Sequence, residues 1–248
     1  MNKDIEECKK ILFGSVETYD PEFADIIFRF SQCEVVEQNT LPEKERILCI
    51  LSVLIGCQGM NVYCNMLDMA LNSNIDPVGI KEMIYQATAY LGIGRTYDYI
   101  VKTNEIMLKN GIQLPLQNQS TTNETNRFEK GLNKQISLFG QQMADRQTKG
   151  PKLRKNINQW LASNCFGDYY TRTGLNDQER EMITFCFILA QGGCENQLRG
   201  HTAGNFNVGN SKEKLYQVIE QCMPYIGYPR TLNAMAIVDE ISLNYEKE

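Results

Sequence analysis

Histidine is almost missing from this chain of 248 residues: His201 is the single one. One imidazole among scattered carboxylates gives no metal-ligand spacing, so neither a metal nor another cofactor is expected. Excess positive charge is also lacking. The formal net charge is -5, which argues against a general nucleic-acid binder, because such a protein needs a basic face to release counterions. One basic stretch (Arg146, Lys149, Lys152, Arg154, Lys155) reads as a solvated loop and helix start. No apolar run approaches the roughly 20 residues that span a bilayer. The charged opening MNKDIEECKK does not resemble a secretory leader, so no membrane partner is expected. The nine cysteines are odd in number and irregularly spaced, which is not a disulfide framework. Reduced thiols and a cytoplasmic location are the expectation. Strand-type alternation is sustained nowhere.

What is present is helix. The apolar stretches at residues 47–57 and 182–190 have no polar face, so each must be surrounded by other helices. Pro151 suits the first turn of a helix running to about Cys165. Asn176 followed by Glu179 predicts a capping box at the start of the second apolar helix. Gly192-Gly193 interrupts that helix, and another is expected from Cys194 to about Val208, stopped by Gly209. Asn210 or Ser211 then caps a helix to Tyr225, and Pro229 starts the last one. The fold class is all-α.

The chain also reads twice. Phe13-Gly14 has a counterpart in Phe139-Gly140, and Leu41-x-x-x-Glu45-Arg46 in Leu175-x-x-x-Glu179-Arg180. Likewise Ile84-x-Gln86-x-x-x-Tyr90-x-Gly92-x-x-Arg95-Thr96 matches Ile219-x-Gln221-x-x-x-Tyr225-x-Gly227-x-x-Arg230-Thr231. This order predicts two tandem helical units packed as pseudo-symmetric halves, at residues 1–114 and 127–248. Between them, residues 117–126 contain no apolar side chain. Such a segment has too little apolar surface to order itself, so residues 115–126 read as a linker.

Features shared by both units serve architecture on this reading, and Tyr90, Tyr225, Arg95 and Arg230 are assigned mainly to it. Features confined to one unit are the candidates for chemistry. Glu181, Cys194, Glu195 and His201 match Ile47, Met60, Asn61 and Leu67 of the first unit, none of which shuttles a proton. Cys194 and His201 fall on one helix face about two turns apart, with Gln197 between them. Cys194 is expected in the first turn, where the helix dipole favours a thiolate. Glu181 comes from the buried helix before it.

At these residues the sequence resembles the carboxymuconolactone decarboxylase family, which also contains the alkylhydroperoxidase D-type proteins. The signature is Gly193-Cys194-x-x-Gln197-Leu198-Arg199-x-His201, then Asn207-Val208-Gly209, then residues 225–234. The resemblance implies a helical fold and assembly into homo-oligomers, here trimers of two-copy chains. Peroxidase-type members carry Cys-x-x-Cys-x-x-x-His, but Gln197 stands at the second cysteine here, so no local disulfide can form. Decarboxylase-type members keep the histidine after a Trp-Glu-Glu run, which Cys194-Glu195-Asn196-Gln197 replaces. Acid–base catalysis on a small organic acid or lactone is the first reading. His201 would transfer the proton, Glu181 would hold it, and Cys194 would complete the catalytic set. Glu195, Gln197, Arg199 and Arg230 are the candidate substrate contacts, either arginine receiving a carboxylate. Two alternatives stand beside it. One is thiol-dependent alkyl hydroperoxide reduction through Cys194, needing a resolving thiol from elsewhere. The other is a catalytically silent binding or scaffold protein.

Overall fold

The computed structural model describes residues 3–245. The outermost residues of the two expected units, 1–2 and 246–248, lie outside the described residues. Ten helices of eleven or more residues carry the architecture. They are α1 (Lys3–Phe13), α2 (Glu43–Gly56), α3 (Met60–Asn72), α4 (Pro77–Leu91), α5 (Ile93–Lys109), α6 (Arg127–Phe139), α7 (Asp177–Gln191), α8 (Glu195–Asn207), α9 (Lys212–Ile226) and α10 (Tyr228–Ser242). Shorter helical pieces join α1 to α2 and α6 to α7. No strand occurs among the described residues, and no helix among them is long and apolar enough to cross a membrane.

The two stretches without a polar face become α2 and α7, and every residue from Ile47 to Gly56 and from Glu179 to Ala190 is buried. They pack on each other, and each also packs across the chain: α2 against α9, α7 against α4. Leu48, Leu51, Ile183 and Phe187 therefore share one apolar cluster with Ile80, Ile84, Val218 and Ile219. Full burial of such a side chain stabilises by roughly 1.5–3 kcal/mol, so the core couples the two ends of the chain.

Local punctuation follows the sequence closely in places. The Asn176 side chain accepts from Glu179 N, and the Glu179 carboxylate accepts from Asn176 N, both at 2.9 Å. Ser211 caps α9 by accepting from Lys214 N. The helix after Pro151 differs from expectation. A 3₁₀ turn at Lys152–Arg154 leads into Lys155–Trp160, and the chain then widens into a π-helix, Leu161–Tyr170, five residues beyond Cys165. Gly131 of α6 and Gly167 of the π-helix explain the contact between these elements. A Cβ on Gly131 would lie 2.5 Å from Gly167 N, a separation that only glycine avoids.

The polar segment between the expected units is also more ordered than its composition suggests. Thr121 Oγ1 donates to Thr171 O at 2.8 Å, and Thr122 Oγ1 donates to Gly167 O at 2.9 Å. Thr173 N donates to Gln119 O at 3.0 Å. Hydrogen bonds to the π-helix and to the residues that follow it supply what the missing apolar surface does not.

Candidate active site

The π-helix, α7 and α8 converge on Glu181. Its side chain is wholly buried, while that of His201 keeps 12% of its surface exposed. His201 Nδ1 lies 2.8 Å from Glu181 Oε2, and Tyr170 donates to Glu181 Oε1 at 2.8 Å. A hydroxyl has one proton and two lone pairs, so this donation fixes the direction of the surrounding bonds. Thr184 Oγ1, 2.7 Å away, must donate to Tyr170. Tyr90 donates to the same oxygen at 3.0 Å. Thr184 in turn accepts from Gln86 Nε2 at 2.8 Å. Every proton of this chain points toward Glu181. With Glu181 accepting on both oxygens, the proton of a neutral imidazole belongs on Nδ1, leaving Nε2 as the available base.

Packing fixes the imidazole plane as well. Tyr90 and Phe139 meet it edge-on from 5.3 and 5.4 Å between centroids. Gly204, one turn after His201 on α8, lets the carboxylate come this close: a Cβ there would collide with Glu181 Oε2 and lie 2.8 Å from Phe139 Cε1. Asn205 Nδ2 donates to the carbonyls of Glu181 and His201, at 3.0 and 2.7 Å, tying α8 to α7. Burial, with the Glu181 charge adding to it, pushes the Tyr170 phenol well above its ordinary range. Burial also raises Tyr90 far above it. Both phenols therefore remain donors. Cys165, whose thiol donates to Tyr90 Oη at 3.6 Å, is pushed up to about 12 by burial.

The other candidates lie elsewhere. Cys194 is not inside α8 but at its N-cap. At about 1.5 Å of rise per residue, His201 is roughly 10 Å further along the helix. Cys194 Sγ accepts from Gln191 Nε2 at 3.1 Å. With Leu189, Gly192, Leu198, Arg230 and Ile237 it lines a cleft of about 30 Å³. Glu195 and Gln197 are exposed. Arg199 is held through Nε by both oxygens of Glu240 on α10, at 3.0 Å. The nine thiols are free. Cys186 and Cys222 lie 3.9 Å apart in the buried core, with Cys222 near the Cys49 carbonyl. Among the described residues no cluster of three or more His, Cys, Asp or Glu side chains is arranged to hold a metal.

Structure thus pairs Glu181 with His201 and adds Tyr170, Thr184, Tyr90 and Phe139, which the sequence reading did not select. Tyr90 was assigned to architecture because Tyr225 repeats it. Tyr170 carried a usable signal: in the register that pairs Glu181 with Ile47, it matches Val36.

Residues 156–240, from the helix before the π-turn to the end of α10, match the model of the Carboxymuconolactone decarboxylase family. That span includes Tyr170, Glu181, Cys194, His201 and Arg230. The chain is also similar to the 4-carboxymuconolactone decarboxylase of Acinetobacter baylyi (strain ATCC 33305 / BD413 / ADP1). The two are 27% identical over 120 residues, covering 48% of this chain and 89% of that protein.

Proposed function

We propose that this protein is a decarboxylase-like acid–base enzyme acting on a small organic acid or lactone, with its site in the unit formed by residues 127–248. The carrying observation is the one-way hydrogen-bond chain that ends on Glu181 and His201 Nδ1. It leaves a single imidazole nitrogen for substrate. Loss of CO₂ from a carboxylate next to an activated carbonyl breaks one C–C bond and leaves the electron pair as an enolate. His201, protonated at Nε2, would deliver a proton to that carbon and regain one from water. Glu181 would hold the imidazolium in place, as a buried hydrogen-bonded carboxylate does in other acid–base pairs. Arg199 is engaged by Glu240 and Arg230 lines the Cys194 cleft, so Arg230 would receive only a second carboxylate of the substrate, remote from the carbon that His201 protonates. The similarity to a 4-carboxymuconolactone decarboxylase points the same way.

The first unit, residues 1–114, is on this reading a tandem copy without chemistry, and residues 115–126 link the two. The order of long helices supports it, since α2–α5 and α7–α10 repeat the same sequence of lengths to within two residues. A homo-oligomer, most simply a trimer, belongs to the same proposal. Ile93 and Tyr97 at the start of α5, and Tyr228 and Leu232 at the start of α10, are each more than half exposed. Large apolar side chains repeated at equivalent helix starts are suited to subunit contacts.

The thiol reading has less support: Gln191 donates to Cys194, but among the described residues no second thiol lines the Cys194 cleft. The test is a CO₂-release assay over small lactone acids and β-keto acids. Turnover in the wild type that His201→Ala abolishes is expected. Turnover that survives His201→Ala overturns the site, and thiol-dependent peroxide reduction without CO₂ release overturns the chemistry.

A further inference from the structure

A cavity of about 450 Å³ lies away from His201, between α4, α5 and the segment 114–119. Its charge is unbalanced. Glu82 is buried and already committed: Arg172 Nε bonds both its oxygens at 3.0 and 2.9 Å, and Arg180 Nη2 reaches it at 3.2 Å. Lys81 is buried, donates only to Asn104 Oδ1, and has no carboxylate within ion-pairing distance among the described residues. The terminal nitrogens of Arg172 likewise have no hydrogen-bond partner among the described residues. Two cations thus stand over one wall of the cavity, the Lys81 ammonium 5.5 Å and the Arg172 guanidinium 5.4 Å from the centroid of the Tyr85 ring.

We propose that this cavity is a binding site for a small organic acid, with Lys81 and Arg172 taking its carboxylate and Tyr85, Val78 and Leu114 enclosing its carbon skeleton. A guanidinium edge with unused N–H groups matches a carboxylate's two oxygens. An ammonium with two spare protons adds a second point of attachment. The volume falls in the range of small-molecule sites, about 300–1,000 Å³, and exceeds what a bare inorganic anion fills. Burial lowers the Lys81 pKa, the direction expected of a desolvated cation with no carboxylate paired to it.

Calorimetry with benzoate, adipate, inorganic phosphate and neutral benzamide, on the intact protein, tests this site. Benzoate or adipate is expected to bind, with phosphate and benzamide at least tenfold weaker. Lys81→Met preserves chain length and removes the unpaired charge, and should weaken carboxylate binding by about tenfold or more. Arg172→Lys should weaken it as well, with circular dichroism reporting that the fold is retained. His201→Gln should leave it unchanged, which separates this site from the one at Glu181. No carboxylate binding at millimolar concentration would overturn the proposal. So would equal binding of phosphate or benzamide, indifference to Lys81→Met in a folded variant, or loss of binding in His201→Gln.

Discussion

Replacing Gly204 with alanine sets two opposite effects against each other at one atom. Alanine exceeds glycine in helix propensity by about 1 kcal/mol, and Gly204 lies within α8, so local structure alone predicts a more stable protein. The new Cβ, however, would occupy the space of Glu181 Oε2 and lie 2.8 Å from Phe139 Cε1. Glu181 is wholly buried and pinned from the far side by Tyr170, so it cannot swing into solvent. Overpacking of this kind costs about 1–3 kcal/mol. Loss of the bond to His201 adds the roughly 1.5–3 kcal/mol of a hydrogen bond to a charged group. The clash should win, with a net destabilisation of about 1.5–5 kcal/mol by urea unfolding. Because His201 is the one histidine, its ring nitrogens give the only imidazole signals in a long-range ¹H–¹⁵N spectrum. The wild type should show the proton fixed on Nδ1, and Gly204→Ala should show the two tautomers averaging. Any turnover should fall by about a hundredfold, the lower end of what a positioned acid–base group contributes. A variant more stable by about 1 kcal/mol with an unchanged tautomer would refute this account of how the carboxylate is held.

Four further outcomes follow from particular residues. Cys194→Ala should leave decarboxylase-type turnover nearly intact; fast peroxide turnover in the wild type that disappears in this variant would promote the thiol reading instead. Leu67 is fully buried, so Leu67→Ala should destabilise by about 2–5 kcal/mol while activity per folded molecule is unchanged. Light scattering should find an assembly larger than a 28.4 kDa monomer, and Leu232→Asp should dissociate it; a wild type that is monomeric at micromolar concentration would sink the interface. Burial raises Cys165 from 9.0 and Tyr225 from 10.0, each to about 12. The native state therefore keeps protons that the unfolded chain releases, and stability should fall between about pH 9 and 12; a urea midpoint unchanged from pH 8 to 10.5 would contradict it.

Much of the helical layout was legible because its signals are local. A capping box involves four consecutive residues, and Asn176 and Glu179 form it as written. A stretch with no polar face has to be central, and α2 and α7 are. The site was legible only in part, because its spacing was read along one helix. Two turns of α8 put Cys194 and His201 on one face, but the same two turns separate them by roughly 10 Å. Position at the N-cap then turned the thiol toward Gln191 and the Arg230 cleft. The π-helix was illegible for a different reason. Residues 161–170 carry no local sequence signal for a π-helix, and the close approach of α6 beside it comes from Gly131 and Gly167, which are far apart in sequence.

Tyr90 exposes a weakness in reasoning from asymmetry between repeats. Repetition with Tyr225 marked it as architectural, and in one sense it is, since both tyrosines are partly buried near the ends of their helices. The two nevertheless meet different surroundings. Tyr225 Oη accepts from Gln32 Nε2 at 3.1 Å, whereas Tyr90 Oη donates to Tyr170 and its ring packs on His201. A residue that the sequence repeats acquires a role from the partner it reaches, and α4 reaches α7 and the π-helix. On the two-unit proposal, this crossing gives a use to a first unit that has Ile47, Met60 and Leu67 in place of the acid, thiol and imidazole. It supplies Tyr90 to hold the phenol that holds Glu181, and Gln86 to orient Thr184 behind it. A unit can shed its own chemistry and still be held in place by the site it completes across the chain.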